Sequence, residues 1–461
     1  MRSTSHRLVV VGAGSGNILL DPRFDGWDVA IVEAQRFGGT CLNAGCIPTK
    51  MLAHPAGVAL QAQEAAAVGV RAGEVSMGWP QLRDRVFDRV DTRADVARGK
   101  RLAPTSTTTV YEGEARFTGP RRLAVRHPSG VVTEVRGDQI VIAAGARPAV
   151  PEVIAASGVP YDTSETLMRV AEVPRRLVVL GGGYVGTEFA HIFSAAGAEV
   201  TVVTRGEQLL RGQDEAVARA FTEVACRRWD VRLGRSATAA GVRAGRIRLT
   251  LDDGSTVSGD RLLVATGRRS NADRLDVGRG GVAVHPDGRV VVDAHQRTTA
   301  PGVWAIGDVS SAFQLKHVAN REARTVAHNL LHPEDLRATD HTAVPSAVFS
   351  DPEVAAVGMT EAQVRAAGID HHVAVREFRD VAYGWAMGDP PGFCKILAER
   401  SSHRLLGAHI LGAHAATLIQ PLVQAMAFGL PAPEVARRPF WIHPALSEVV
   451  ENALLGLEPT R

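Results

Sequence analysis

Lysine is nearly absent from this 461-residue chain, which also has few cysteines and no long basic or apolar run. The only lysines are Lys50, Lys100, Lys316 and Lys395, so arginine supplies 48 of the 52 basic residues. Against 49 acidic residues the net charge is +3, with no long basic run, which makes nucleic acid a poor candidate partner. No apolar run approaches the ~20 residues needed to cross a bilayer, so we expect no membrane association.

Cysteine is also scarce, with four residues in the whole chain. Cys226 and Cys394 are isolated in sequence, so the disulfide framework of a secreted domain is not indicated. The first apolar stretch begins at Leu8 and runs directly into a glycine loop, which is typical of a strand and not of an export signal. A cytoplasmic location is therefore expected, and we predict no metal site.

The chain does contain a dinucleotide-binding motif at its start. A predicted strand at residues 8–11 leads into Gly12-Ala13-Gly14-Ser15-Gly16, and a second strand at residues 28–33 ends in an acid. That acid lies 21 residues after the first glycine, close to the ~20 expected between a glycine fingerprint and a ribose-binding carboxylate. Asn17 stands where a third glycine is expected, and Pro22 requires the following helix to be short or to restart.

A second strand–turn–helix unit repeats this motif. Residues 177–180 read as a strand, followed by Gly181-Gly182-Gly183-Tyr184-Val185-Gly186, a helix through Ala196 and a strand at residues 199–203. One glycine loop alone is weak evidence. Two loops, each between a strand and a helix, predict two dinucleotide sites, because such loops bring a diphosphate against the N–H groups of a helix N-terminus.

The residues after the second of these strands bear on cofactor choice. An acid there would accept the ribose hydroxyl of NADH, whereas Arg205 and Arg211 suit the 2′-phosphate of NADPH. In an arginine-rich chain, a coincidence of surface charges is the alternative. NADPH is the predicted nucleotide.

Two cysteines follow the first unit in the segment Gly39-Thr40-Cys41-Leu-Asn-Ala-Gly-Cys46. A disulfide that closes so small a loop removes little entropy from the unfolded chain, so a structural bridge is a poor explanation. A thiol near a helix N-terminus has a lowered pKa and is the reactive form. The context favours a redox-active pair over two inert thiols.

The last third of the chain has short predicted strands before helices, which indicates an α+β domain with an antiparallel sheet. Near its end stands His443-Pro444-Ala-Leu-Ser-Glu448. The ordinary interpretation of this motif is a helix start with Pro at the first position. A histidine held by a carboxylate is also a suitable proton donor and acceptor near neutral pH.

Taken in this order, the motifs resemble those of the pyridine nucleotide-disulphide oxidoreductases, the family of glutathione reductase and dihydrolipoamide dehydrogenase. The resemblance covers essentially the whole chain. It implies that Cys46 lies closest to a flavin and that Cys41 attacks the substrate, with Lys50 beside the flavin and Glu188 as its carboxylate partner. It also implies a homodimer, in which the His443–Glu448 dyad enters the active site of the other subunit.

The resemblance implies FAD and NADPH as cofactors and assigns their binding residues by position. The expected set is Gly12, Gly14, Ser15, Gly16, Glu33, Gly39, Thr40, Lys50, Ala115, Gly145, Asp308, Gly181, Gly183, Tyr184, Val185, Gly186, Glu188, Thr204, Arg205, Arg211 and Gly267. Simpler interpretations exist for three of these residues. Glu188 would be an exposed helical charge, Tyr184 an aromatic packed on the sheet, and Asp308 part of an ordinary turn.

The implied architecture is an α/β fold with two Rossmann-like dinucleotide-binding domains and a C-terminal α+β dimerisation domain. We assign residues 1–150 and 268–338 to the FAD domain. An NADPH domain is inserted at residues 151–267, and the interface domain spans residues 339–461.

Within the family, the sequence is most similar to the branch that reduces mycothione, the disulfide of mycothiol. The similarity lies in residues 14–21, 315–320, 380–387 and 441–446. Dihydrolipoamide dehydrogenase and glutathione reductase activities stay open as alternatives, whereas mercuric and large thioredoxin reductases need C-terminal thiols that residues 452–461 lack. A further alternative is a protein that binds FAD without disulfide chemistry, which the presence of both thiols and the dyad disfavours.

Overall fold

The structure, a computed structural model, describes residues 2–103 and 106–457. Its first elements are β1 (Arg2–Val11), α1 (Gly16–Leu19), β2 (Val29–Glu33), α2 (Gly39–Asn43), α3 (Cys46–Glu64), α4 (Trp79–Leu102), β3 (Thr108–Glu112), β4 (Glu114–Gly119), β5 (Arg122–Arg126), β6 (Val132–Ile142) and β7 (Ala146–Pro148). The sheet order is β3-β2-β1-β6-β5-β4. The pairs among β3, β2, β1 and β6 are parallel, and β4 and β5 add an antiparallel edge.

The first strand differs from the sequence prediction. β1 begins at Arg2 and not at Leu8, because its polar first residues pair with β6 through the backbone. The cysteines are followed by two helices, α3 and α4, separated by a loop that contains Gly69, Gly73 and Gly78. The first helix is short as predicted, and Pro22 begins a separate 3₁₀ turn.

The second unit repeats the strand–helix–strand order. Its elements are α5 (Glu152–Ala155), β8 (Arg176–Leu180), α6 (Tyr184–Ala195), β9 (Glu199–Val203), α7 (Glu215–Arg228), β10 (Asp230–Arg232), β11 (Ala237–Arg243), β12 (Arg246–Leu251), β13 (Thr256–Gly259) and β14 (Arg261–Val264). The strands β10-β9-β8-β14 form a parallel sheet, and β11-β12-β13 form a small antiparallel one. Leu177 to Leu180 are all buried, as expected where both faces of a parallel strand are covered.

After the second unit the chain returns to the first sheet. The next elements are β15 (Arg268–Ser270), β16 (Val303–Ala305) and α8 (Lys316–Leu331). β15 pairs with β7, and β16 pairs in parallel with β6. This return is the topology that a two-segment domain with an insertion requires. The domain boundaries at 150/151, 267/268 and 338/339 stay predictions.

The last part of the described chain is built on a five-stranded antiparallel sheet with the order β17-β18-β21-β20-β19. Its elements are β17 (Pro345–Val348), β18 (Val354–Gly358), α9 (Glu361–Ala366), β19 (His371–Glu377), α10 (Ala382–Ala386), β20 (Phe393–Glu399), β21 (Leu405–Leu411), α11 (Ala415–Leu418), α12 (Gln420–Ala427), α13 (Ala432–Arg437) and α14 (Glu448–Leu455). Residues 458–461 of the predicted interface domain lie outside the described residues.

The class predicted from the sequence, two α/β nucleotide-binding units followed by an α+β unit, agrees with this architecture. Pro444 is not the first residue of a helix, because α14 begins four residues later at Glu448. In the part of the chain that the structure describes, no helix combines the length and the apolar character needed to cross a bilayer.

Candidate active site

A cavity of about 1580 Å³ lies beside the first glycine loop, α3, α6 and the N-terminus of α8. Its lining includes the following predicted residues: Gly12, Gly14, Ser15, Glu33, Gly39, Thr40, Cys41, Cys46, Lys50, Ala115, Gly145, Tyr184, Val185, Glu188 and Asp308. The other predicted residues, all described, do not line it: Gly16, Gly181, Gly183, Gly186, Thr204, Arg205, Arg211, Gly267, His443 and Glu448. The fold therefore brings the first loop and the thiol pair into one site.

The first glycine loop has a backbone that only glycine permits at its first position. Gly12 has φ +107°, and a Cβ built there would lie 2.4 Å from the carbonyl oxygen of Ala143. Glu33 closes the loop by accepting from the N–H of Ala13 at 2.7 Å and from that of Gln35 at 2.8 Å. Burial raises the pKa of this carboxyl group. A bare backbone beside a buried carboxylate fits the diphosphate and ribose of FAD.

Close packing explains the other glycines of this region. A Cβ on Gly39 would lie 2.8 Å from the Cα of Gly14, and one on Gly16 would lie 2.6 Å from Cγ1 of Val10. Gly16 therefore allows α1 to pack closely against β1, which is the role that the third glycine of the motif usually has. Asn17, at that third position, accepts a hydrogen bond from Arg101 at 2.8 Å.

The two thiols stand at the junction of α2 and α3, and both are free in the structure. Cys41 lies inside α2, and Cys46 is the first residue of α3, where helix N–H groups favour an anion. A hydrogen bond from Cys41 lowers the pKa of Cys46 to about 7; burial opposes the shift, and the nearby charge of Lys50 assists it. The same hydrogen bond, with burial, raises the pKa of Cys41. The pair thus shares one proton, and Cys46 is the preferred thiolate.

A partly buried ion pair lies in the same cavity as the thiols. Lys50 Nζ donates to Glu188 Oε1 at 2.7 Å and to Oε2 at 2.8 Å. Glu188 is only 3% exposed and also accepts from the N–H of Phe349 at 2.9 Å, so it is not an exposed helical charge. α3 and α6 are therefore linked through Lys50, the cation that lowers the pKa of Cys46.

The Gly307–Asp308 turn is held by residues that the sequence analysis did not assign. The N–H of Gly307 donates to Glu322 Oε2 at 2.6 Å, and Arg268 Nε lies 3.8 Å from Asp308 Oδ2. Burial raises the pKa of Asp308, which faces the cavity and is not part of a solvated turn. Lys316 at the start of α8 also lines the cavity and was missed. The available signal for Lys316 was the rarity of lysine in the chain.

The second glycine loop has the same backbone requirement as the first. Gly181 has φ +125°, and its Cβ would lie 2.2 Å from the carbonyl oxygen of Ala265; a Cβ on Gly186 would lie 2.0 Å from the carbonyl oxygen of Gly181. Tyr184 follows this loop, is 48% exposed and lines the large cavity, so it does not pack into the core of the sheet.

Arg205 and Arg211 lie on the exposed segment after β9. The N–H of Leu210 donates to the carbonyl oxygen of Gly182 at 2.8 Å, which ties this segment to the second glycine loop. A Cβ on Gly206 would lie 3.5 Å from Cδ of Arg211, so the side chain of Arg211 passes close to Gly206. Neither guanidinium forms an ion pair with another described residue, which leaves both free to bind a phosphate.

The His443–Glu448 dyad lies in the C-terminal part of the structure. His443 Nδ1 and Glu448 Oε1 are 2.7 Å apart, and this hydrogen bond lowers the pKa of Glu448. The histidine side chain is 73% exposed, whereas that of the glutamate is 17% exposed. Phe440 and Ile442 next to it are also exposed. The dyad is therefore formed but open within a single chain.

Comparison with known proteins agrees with this geometry. Residues 6–323 match the family described as pyridine nucleotide-disulphide oxidoreductase, and residues 344–454 match the dimerisation domain of that family. The chain belongs to the pyridine nucleotide-disulphide oxidoreductase family. Its fold is that of the flavoprotein disulfide reductases, with FAD and NADPH as cofactors.

Two individual relatives and one solved structure show how similar the chain is to members of this family. The chain is 50% identical to mycothione reductase of Mycobacterium tuberculosis, over 98% of this chain and 99% of that protein. It is 33% identical to glutathione reductase of Burkholderia cepacia, over 92% and 93% of the two chains. Among solved structures, the Cu(II) complex of the HOCl-induced flavoprotein disulfide reductase RclA from Escherichia coli matches with a TM-score of 0.87 at 28% identity, covering 99% of this chain and all of that one.

Proposed function

We propose that this chain is an NADPH-dependent reductase of mycothione that works through a redox-active Cys41–Cys46 pair. The observation that carries the proposal is the thiol pair itself: two free thiols share a proton, and the pKa of Cys46 is lowered to about 7 beside the Lys50–Glu188 ion pair. A thiolate poised near neutral pH is what thiol–disulfide exchange needs. Identity of 50% to a mycothione reductase, against 33% to a glutathione reductase, supports mycothione as the substrate.

The two cysteines would reduce the substrate by two successive thiol–disulfide displacements. When bound, NADPH and FAD supply the two electrons that open the Cys41–Cys46 disulfide. Cys41, as a thiolate, attacks one sulfur of the substrate disulfide, which forms a mixed disulfide and releases one thiolate. Cys46 then attacks the sulfur of Cys41, which reforms the protein disulfide and releases the second thiolate.

Each displacement also requires proton transfer. Cys41 has a raised pKa and must lose a proton before it attacks, and each released thiolate must gain one. Lys50 is held by Glu188 and is not a free base. We assign the proton transfers to the partner subunit's His443, whose Nδ1 is fixed by Glu448 so that Nε2 is available.

This assignment requires a homodimer. The dyad does not line the cavity that contains the thiols of its own chain, its histidine is 73% exposed, and it lies in the part of the chain that matches the dimerisation domain. Exposed apolar side chains at Phe440 and Ile442 beside it fit a surface that another subunit covers. The site is complete only when a second copy supplies the histidine.

We assign NADPH specificity to Arg205 and Arg211. Both residues are exposed, and the segment that carries them is linked to the second glycine loop through Leu210. Arginine pairs with a phosphate by two parallel hydrogen bonds, and NADH has no 2′-phosphate to accept them. Nucleotide preference therefore depends on this segment.

The test is NADPH consumption by the purified, FAD-loaded protein with mycothione, glutathione disulfide and lipoamide at equal concentrations. A clear preference for mycothione supports the proposal. Preference for glutathione disulfide or lipoamide would keep the mechanism and change the assigned substrate. These two substrates are included because the chain is 33% identical to a glutathione reductase and 30% identical to a dihydrolipoyl dehydrogenase. No consumption with any disulfide would favour a protein that only binds FAD.

A further inference from the structure

Lys316 is a cation in the active-site cavity that no assigned role accounts for. It is the first residue of α8 and lines the same cavity as Cys41 and Cys46. Its Nζ donates to Oγ of Ser15, at 3.0 Å, although the two residues are 301 positions apart in sequence. The side chain thus reaches from the N-terminus of α8 to the first glycine loop, in the cavity that the thiols also line.

This placement is unfavourable for a lysine unless an anion is nearby. The N-terminus of a helix carries partial positive charge, which repels an ammonium group. Burial further lowers the pKa of Lys316. Within residues 2–103 and 106–457, no carboxylate lies at ion-pair distance, whereas Lys50 and Lys395 each have carboxylate partners at 2.7 Å. The charges that raise the pKa of Lys316 are Cys41 first, then Cys46 and Asp308.

The composition provides a second, independent observation. Arginine supplies 48 of the 52 basic residues, yet a lysine stands here. Of the four lysines, Lys50 and Lys316 both line the active-site cavity. An ammonium group is a compact point charge, whereas a guanidinium is a larger planar fork. A compact charge suits a position between the glycine loop and a thiol.

We propose that Lys316 is a positioning residue for the thiol pair, whose ammonium group favours the anionic form of Cys41. The inference rests on the proposed function and extends it, because it divides the work between two lysines. Lys50 is the main cation for Cys46, whereas Lys316 has the larger effect of the two lysines on Cys41. Lys316 transfers no proton: the proton of Cys41 passes to the partner subunit's His443, and the ammonium group stabilises the thiolate that remains.

The electrostatic surroundings of the two thiols agree with this division. Of the cations that lower the pKa of Cys41, Lys316 contributes more than Lys50, whereas Lys50 is the cation that acts on Cys46. Other titratable or charged groups also face this part of the cavity from the neighbouring elements: Glu188 and Tyr184 on α6, Asp308, and Arg268 on β15. Of these, Glu188 raises the pKa of Cys46, Cys46 is one of the charges that raise the pKa of Tyr184, and Arg268 is paired with Asp308.

The experiment measures alkylation of Cys41 by iodoacetamide in the NADPH-reduced holoenzyme across a pH series, followed by mass spectrometry of the Cys41 peptide. The variants are Lys316→Met, which removes the charge, Lys316→Arg, which keeps it, and Lys100→Met as an exposed control on α4. Loss of a nearby opposite charge raises a thiol pKa by about one unit. We expect the alkylation midpoint of Lys316→Met to move upward by that amount, with alkylation about tenfold slower at pH 7. Lys316→Arg keeps the positive charge in a larger group, so its midpoint should lie between those of Lys316→Met and the wild type, and Lys100→Met should match the wild type.

An unchanged midpoint in FAD-saturated Lys316→Met overturns the inference. If that variant instead loses FAD on ultrafiltration while its thiol profile is unchanged, the lysine serves the FAD diphosphate and the inference is wrong. Lys316→Gln is measured in parallel in case the methionine variant does not fold. If NADPH makes no Cys41 available for alkylation in the wild-type protein, the proposed function itself is contradicted. If the wild-type Cys41 is alkylated after reduction but the midpoint of Lys316→Met is unchanged, only the role of Lys316 is overturned.

Discussion

Lys50 Nζ is bonded to both carboxylate oxygens of Glu188, at 2.7 and 2.8 Å, although 138 residues separate the two in sequence. The pair joins α3, which begins with Cys46, to α6, which begins at the second glycine loop. It therefore couples the thiol site to the nucleotide-binding unit. The ion pair also keeps the ammonium group beside Cys46 instead of in solvent.

The first prediction concerns this ion pair. Glu188→Gln removes the charge but keeps the side-chain volume and the acceptor for the N–H of Phe349. We expect the free energy of unfolding to fall by about 1–3 kcal/mol, because a charged hydrogen-bond partner of Lys50 is lost from a buried position. Urea unfolding of the FAD-loaded protein measures the change. Glu223→Gln, on an exposed position of α7, should be neutral, and equal stability of both variants would contradict the prediction.

A second prediction concerns the attacking thiol. Cys41→Ser should abolish disulfide reduction, because a hydroxyl group does not attack a disulfide, while NADPH oxidation by artificial electron acceptors continues. Steady-state rates with mycothione and with a quinone acceptor separate the two activities. Cys226→Ser changes an exposed cysteine away from the cavity and should leave both unchanged. Disulfide reduction by Cys41→Ser would remove this residue from its role.

The pH dependence of Cys46 is a third prediction. Its pKa is lowered from the ordinary range to about 7, so in the reduced protein Cys46 is a thiolate above about pH 7 and gains a proton below it. The difference in ultraviolet thiolate absorbance between reduced and oxidised protein should therefore rise with a midpoint near pH 7. In Cys46→Ser that step should vanish. A midpoint at the ~8.5 of an unperturbed cysteine would show that the pair does not share its proton.

The dyad leads to a fourth prediction. His443→Ala should leave reduction of the protein by NADPH fast and slow disulfide exchange by about 10²–10⁴-fold, because general acid–base catalysis is lost. Stopped-flow measurement of the two half-reactions separates these effects, with His285→Ala as an exposed control. Mixing His443→Ala with Cys41→Ser subunits adds a test of the dimer. Heterodimers with one intact site should recover activity if the histidine comes from the partner subunit, and no recovery would argue for a site within one chain.

Nucleotide preference is the subject of the fifth prediction. Replacement of Arg205 and Arg211 together by Ala should raise KM for NADPH and leave KM for NADH nearly unchanged. A hydrogen bond to a charged group contributes about 1.5–3 kcal/mol, so the preference should fall by about 10–100-fold for each lost arginine contact. Arg219→Ala on the exposed face of α7 is the matched control. An unaltered preference would assign nucleotide choice to other residues.

Much of the fold could be predicted because its signals are local. The glycine spacing, the buried apolar strands and the bounds of β9 follow from neighbouring residues. The bounds of β19 could not be predicted, because it is an edge strand with Ala374 as its one buried residue and shows no alternating apolar pattern. The early start of β1 was missed because residues 2–6 are mostly polar and pair through their backbone with β6.

For the site, the chemistry that is available can be read from local sequence: two thiols with fixed spacing, two glycine loops and a His–Glu dyad five residues apart. The groups that act on those thiols come from distant parts of the chain and are visible only in the folded protein. Lys50 meets Glu188, and Lys316 meets Ser15, across 138 and 301 residues of sequence. Local sequence specifies backbone conformation through short-range sterics and hydrogen bonds. The electrostatic environment of a thiol depends on side chains brought together by packing, and therefore on the whole fold.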